Sequence, residues 1–214
     1  MILSKETPVV VAGGASGLGQ AVAKTFTDLG LPVGILDMQA PTMALPFAQC
    51  DVTDPVSVGE GLAILRSEHG QERICVNCAG IAPAAKTVSR VTPHDPTLFA
   101  KVIGINLLGT FNVASQSAAG MAAAEPLNGD GERGVIINTA SIAAFEGQMG
   151  QAAYASSKAG VAGLTLPIAR DLAKVGVRVM SVAPGIFATP MVTAFSQEVQ
   201  EALAQSSEFP PKTG

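Results

Sequence analysis

Tyr154 is the only tyrosine in the 214-residue chain, and it precedes Lys158 by four residues. On a helix that spacing puts both side chains on one face. A phenol ionises near pH ~10 and is a poor base at neutral pH. A neighbouring ammonium stabilises the phenolate and lowers that value. The pair could therefore move a proton to and from a hydroxyl group. Ser141 lies just after the apolar run GVIINTA, upstream of Tyr154. Its hydroxyl could hold a substrate oxygen beside the phenol. By itself a Tyr-x-x-x-Lys pair is an ordinary helix-surface pair, and only the surrounding motifs argue otherwise. Asn106 sits in the apolar stretch VIGINLLGTFNV. Such an amide is either buried and hydrogen-bonded or turned to solvent. Its functional reading is a local helix break whose carbonyl holds a water near Lys158.

A second set of residues could hold phosphates. The run Ala12-Gly13-Gly14-Ala15-Ser16-Gly17-Leu18-Gly19 follows an apolar segment and precedes a helical pattern. Glycines let the backbone turn tightly and approach a pyrophosphate, and a helix N-terminus offers free N–H groups. The spacing of Gly13, Gly17 and Gly19 is Gly-x3-Gly-x-Gly, unlike the general G-x-G-x-x-G fingerprint. The bland alternative is a tight strand-to-helix turn. Asp37 ends the next apolar run. An acid there accepts hydrogen bonds from ribose hydroxyls and repels a 2′-phosphate, which favours NAD over NADP. Its alternative is a solvated loop carboxylate.

These residues need elements to place them. Short apolar runs at 8–12, 33–37, 74–77, 134–140 and 177–183 read as strands, with a further short one at 47–51. Helical patterns occupy 17–29, 55–68, parts of 95–124, and 152–173, with a weaker one at about 190–206. Asp54 and Pro55 form an N-cap and first-turn pair for the helix at 55–68. Strands alternating with helices imply parallel pairing through right-handed crossovers. The expected fold is α/β, a single doubly wound, Rossmann-like parallel sheet with helices on both faces, forming one domain over 1–214. Ligands of such sheets sit outside the C-terminal strand ends, where every motif above falls.

Composition narrows the function classes. With 48% apolar and 14% charged residues the chain can bury a core, so disorder is excluded as the main state. Lys and Arg total 13, never in a run, and the formal net charge is -4, so no nucleic-acid partner is expected. No apolar run reaches ~18 residues and the N-terminus lacks a signal-peptide pattern, so no membrane partner is expected. Three cysteines, Cys50, Cys75 and Cys78, are too few and odd in number for a disulfide scaffold. A reducing compartment follows, cytoplasmic or, in a eukaryote, the mitochondrial matrix. Cys75-x-x-Cys78 is half of a zinc or redox motif, but only Cys50, His69 and His94 remain as further ligands. The pair reads as small hydrophobes at a strand end, and no metal is expected. His69 and His94 read as solvated, Ser156-Ser157 as a packing surface, and Glu198, Glu201 and Glu208 as a solvated helix face.

Together the motifs resemble the classical short-chain dehydrogenases/reductases. The family's TGxxxGxG appears from Ala12 to Gly19, its NNAG as Asn77-Cys78-Ala79-Gly80, and its later Pro-Gly motif as Pro184-Gly185-Ile186-Phe187-Ala188-Thr189. Its catalytic Asn, Ser, Tyr and Lys fall on Asn106, Ser141, Tyr154 and Lys158. NCAGIA at 77–82, the segment 134–160 and APGIFATP resemble a narrower group that oxidises 3-hydroxyacyl-CoA thioesters. The resemblance implies NAD contacts from Gly13, Ser16, Gly17, Leu18, Gly19, Asp37, Asp51, Val52, Asn77, Cys78, Ala79, Gly80, Tyr154, Lys158, Pro184, Phe187 and Thr189. It implies a substrate pocket holding Ser141, Gln148 and Tyr154, and a homo-oligomer, a tetramer in the family. Other substrates for the same chemistry are a hydroxysteroid or an acyl-carrier-protein thioester; a non-catalytic cofactor-binding partner is a further alternative. Two departures stand out. Ala12 replaces the family's Thr, with an expected loss of stability. Family members also continue for a further helix and strand, so an uncovered sheet edge is expected here.

Overall fold

The computed structural model describes residues 3–193 together with 197, 200 and 201. Its central strand, β1 (Val9–Ala12), is apolar and buried on both faces, as a strand inside a parallel sheet must be. It runs into α1 (Gly17–Asp28), then β2 (Val33–Asp37) and β3 (Phe47–Gln49). Next come α2 (Pro55–His69) and β4 (Ile74–Asn77). A small hairpin that the sequence pattern did not reveal, β5 (Val88–Ser89) and β6 (Thr92–Pro93), follows. One continuous helical run then contains α3 (Pro96–Ile103), a π-helical turn (Gly104–Gly109) and α4 (Thr110–Ala123). The chain closes with β7 (Gly134–Thr139), α5 (Ala152–Leu172), β8 (Val177–Val182) and the turn α6 (Pro190–Thr193). The rest of the helix expected at about 190–206, with Glu198 and Glu208, lies largely outside the described residues; Glu201 is exposed.

The six-stranded sheet has the order β3-β2-β1-β4-β7-β8, with every pair parallel. Chain order reverses between β1 and β4, so the loops leaving these strands part and open a crevice at the strand ends. Two cores cover the sheet. On one face Val10, Leu36, Cys75 and Ile136 pack against Leu62 and Leu65 of α2 and Val113 and Met121 of α4. On the other, Val9, Val11, Ile35 and Val76 pack against Ala23 and Phe26 of α1. β8 forms one edge, and its Met180 and Val182 are 39% and 48% exposed.

Local chemistry sets the helix starts. Asp54 accepts the Val56 N–H at 2.9 Å and Asp95 accepts that of Thr97 at 2.8 Å, each followed by a proline at the first helical position. Glu72 is wholly buried; Arg66 grips it with two bonds of 2.9 and 2.8 Å, and Ser117 donates to it at 2.7 Å. This paired charge ties α2 to α4. The run Pro96–Ala123, in which an 18-residue window reaches a mean hydropathy of 1.4, is long and apolar enough by composition to cross a membrane. Here it buries Val102, Val113, Ala114, Ala118 and Met121 within the protein.

His69 differs from its expected solvation. It is the last residue of α2, its ring lies against Gly34, and both ring nitrogens are buried without a partner among the described residues. His94 is partly buried, and its Nδ1 lies 2.7 Å from the Asp95 carbonyl.

Candidate active site

The crevice is a cavity of about 640 Å3 along the C-terminal ends of the strands. At one end lies the glycine turn after β1. Gly13 has φ +75°, and any Cβ there would meet the backbone of Ala79 in the loop after β4. A Cβ on Gly19 would strike the Gly13 carbonyl. Glycine at both positions lets the turn fold flat against the β4 loop. Ser16, the N-cap of α1, is exposed and makes no side-chain capping bond among the described residues. The first N–H groups of α1 thus stay available to an anion. Asp37 stands at the end of β2; its Oδ2 accepts the Ala15 N–H at 3.0 Å and its Oδ1 that of Gln39 at 3.1 Å. Its carboxylate is thereby aimed before any ligand arrives. A close-approach turn, a free helix start and a fixed carboxylate fit a dinucleotide.

At the other end stand Ser141, Tyr154 and Lys158. Ser141 is buried after β7, where its Oγ accepts the Ala143 N–H at 3.1 Å. Burial pushes the Tyr154 phenol up, and its hydrogen bond with Ser141 pulls it part of the way back. Lys158 is 5% exposed, and burial lowers its pKa to about 8. Its Nζ donates to the Thr139 carbonyl at 2.6 Å and lies 5.9 Å from the Tyr154 ring centre. The influences on the phenol are thus burial and Ser141, in place of the downward pull expected from Lys158. Desolvation is the largest influence on both groups.

Asn106 is wholly buried within the π-helical turn, not turned to solvent. The helix break takes the form of an extra residue in one turn, a device common at functional sites. Its carbonyl accepts the Thr110 Oγ1 hydroxyl at 2.8 Å. Its side chain bonds Ile81 in both directions, at 2.9 and 2.8 Å.

Among the residues singled out from sequence, Gly13, Ser16, Gly17, Leu18, Gly19, Asp37, Asp51 and Val52 line this cavity. So do Cys78, Ala79, Gly80, Gln148, Pro184, Phe187 and Thr189. Asn77 does not: it is buried in the sheet, where its Nδ2 donates to Asn138 Oδ1 at 2.8 Å. Asn106 lies behind the wall. Sequence reasoning missed Lys101, Thr139, Glu146 and Gln151, which also line the cavity. Only Thr139 carried a signal, as the last residue of a strand two before Ser141. Burial pushes the Cys75 thiol up to about 12 and raises Cys50 and Cys78 as well, which keeps all three protonated and poorly reactive.

The model of the short chain dehydrogenase family matches residues 7–200, and the chain belongs to that family. It is an oxidoreductase that uses a nicotinamide cofactor and a small-molecule substrate. It is 47% identical over 216 residues to 3-hydroxyacyl-CoA dehydrogenase type-2 of Homo sapiens, covering 96% of this chain and 82% of that one. The Drosophila melanogaster protein of the same name is 44% identical over 221 residues, covering 98% and 86%. The crystal structure of 3-hydroxyacyl-CoA dehydrogenase type-2 from Mycobacterium avium superposes with a TM-score of 0.86 at 38% identity, covering 97% and 84%.

Proposed function

We propose that this chain oxidises 3-hydroxyacyl-CoA thioesters to 3-oxoacyl-CoA with NAD, and catalyses the reverse reduction with NADH. The observation that carries this is one cavity with a nucleotide-fitting turn and Asp37 at one end and Ser141, Tyr154 and Lys158 at the other. Its likeness to the type-2 enzymes supports the thioester substrate.

The turn from Gly13 to Gly19 would hold the pyrophosphate, Asp37 the adenosine ribose, Asp51 and Val52 the adenine, and Lys158 the second ribose. Cys78, Ala79, Gly80, Pro184, Phe187 and Thr189 would close the walls. NAD, when bound, supplies the hydride acceptor. Ser141 holds the substrate oxygen, and Tyr154 takes the hydroxyl proton. Lys158, drawn from the Thr139 carbonyl toward the ribose, places its ammonium where it stabilises the phenolate. Asn106 would keep a proton relay to solvent behind Lys158, and Gln148 would face the acyl group. Asp37 favours NAD because a 2′-phosphate would meet its carboxylate.

The exposed Leu108 and Phe111 on the long helix support a homo-oligomer, a tetramer by family likeness. Free cysteines fit a reducing compartment, the cytoplasm or a mitochondrial matrix. The test is oxidation of NADH by acetoacetyl-CoA with the 214-residue chain, with NADPH as control. Turnover specific to NADH is expected; equal rates with NADPH, or none with the thioester, would overturn the reading.

A further inference from the structure

The sequence reading of Ser156-Ser157 as a packing surface holds for the burial of Ser157 but not for the exposed Ser156, and it leaves out what the Ser157 hydroxyl does. This residue is wholly buried. Its Oγ accepts a hydrogen bond from Asn106 Nδ2 at 3.0 Å and donates one to the Tyr154 carbonyl at 2.7 Å. A hydroxyl has one proton, so the direction of the chain is set: amide to hydroxyl to carbonyl. Asn106 then has no free donor, because its other N–H goes to the Ile81 carbonyl at 2.9 Å. Its Oδ1 accepts the Ile81 N–H at 2.8 Å. A flipped amide would set oxygen against the Ile81 carbonyl and nitrogen against its N–H. Only one orientation satisfies every group.

Two segments meet at this hydroxyl, the π-helical turn and α5, and the Asn106 amide joins them to the loop after β4. We propose that Ser157 is a positioning residue that acts through Asn106. Its hydroxyl orients the amide, and the amide holds Gly80 and Ile81 at a set distance from Tyr154 and Lys158. A Cβ built on Gly80 would lie 3.2 Å from Asn106 Oδ1 and 3.7 Å from Lys158 Nζ, so the loop and the ammonium are close neighbours. Losing the hydroxyl leaves a buried Asn106 N–H without its acceptor, and the amide must turn or shift. The loop then moves relative to the ammonium, and the protonation balance of Lys158 and Tyr154 changes with it. Ser156, its exposed neighbour, is an internal control.

This inference rests on the assignment of Tyr154 as the acid/base. The test is a double-mutant cycle of Ser157→Ala and Asn106→Ala, read as kcat for NAD reduction across pH 6–10. Ser157→Ala is expected to lower kcat about tenfold or more at neutral pH and to move the pH of half-maximal rate upward. NADH affinity should stay within about twofold, and Ser156→Ala should change nothing. In the Asn106→Ala background the further loss should be under about twofold, since partners in one network are not additive. Additive losses with an unmoved pH profile would overturn the proposal and leave Ser157 a packing residue. Ser157→Cys fills the same space with a weak hydrogen-bonding group and should show the same profile change if the alanine variant does not fold. Tyr154→Phe is run in parallel: retained turnover there would sink the acid/base assignment, a result separate from the outcome of the cycle.

Discussion

The two ends of the cavity are made of different material. The proposed nucleotide end is built mostly of main-chain groups, a glycine turn against the β4 loop and the open start of α1, with one side chain, the Asp37 carboxylate held by the Ala15 and Gln39 N–H groups. The proposed reacting end consists of side chains, Ser141 after β7 and, on α5, Tyr154 and Lys158, whose ionisation is shifted chiefly by burial. Backbone groups are placed by the fold itself and cost little to organise once the sheet forms. A buried phenol and ammonium are placed where burial disfavours their charged forms. Substitutions at the first end should therefore weaken binding, and those at the second should change chemistry and pH dependence.

The sharpest break is Tyr154→Phe. Turnover should fall on the order of 10³-fold, the scale of lost acid–base catalysis. NADH binding, followed by fluorescence, should persist. Loss of both would mean that the two ends are not separable.

Lys158→Met probes the cost of the buried ammonium. The folded pKa of Lys158 is about 8 against 10.5 for the free group. Between these values the unfolded chain binds more protons, so stability rises with pH through that window and is lost as pH falls back to about 8. The full difference corresponds to about 3 kcal/mol. Urea unfolding of the ligand-free protein at pH 8 and pH 10 should show most of this rise in the parent chain. The methionine variant should lack it. An identical slope in both would place the effect elsewhere.

Asp37→Ala addresses the nucleotide end. NADH affinity should drop about tenfold, as for loss of a charged hydrogen-bond acceptor. The discrimination against NADPH should shrink in the same titration, while the pH profile of turnover stays in place. A moved profile would join the two ends.

The smallest effect concerns the sheet beneath both. Ala12 is buried and pairs with Asn77 in the β1–β4 register. Ala12→Thr supplies a hydroxyl to the Asn77 amide and should stabilise by about 1 kcal/mol, or ~2–4 °C in melting temperature. A lower melting temperature would show that the site has no room for the added atoms.

Much of the glycine-turn end of the cavity was legible along the chain. A buried strand, a glycine turn and a helix start are contiguous, so local spacing carries the geometry. Asp37 was legible as the end residue of the next strand. The pairing of Tyr154 with Lys158 was legible as helical spacing, but their electrostatics were not. Burial is the largest influence on both, followed by Ser141 for the phenol and Cys78 for the ammonium, not their proximity to each other. The π-helical turn around Asn106 was readable only as a polar interruption in an apolar run. Its form depends on Ile81 and Ser157, which lie 25 and 51 residues away. His69 was misread because its polarity says nothing of the space over Gly34, where neighbouring strands and α2 enclose it.

The amino-acid sequence by itself determined the strand and helix alternation, the parallel sheet, the place of the crevice and the residue types gathered there. These follow from periodicity, glycine and N-cap chemistry, all of which act over a few residues. Tertiary structure decided which groups are desolvated, which carbonyl takes the Lys158 ammonium, and which hydroxyl orients Asn106. Those outcomes depend on segments distant in the chain, because desolvation and hydrogen-bond partnership belong to what surrounds a residue in space.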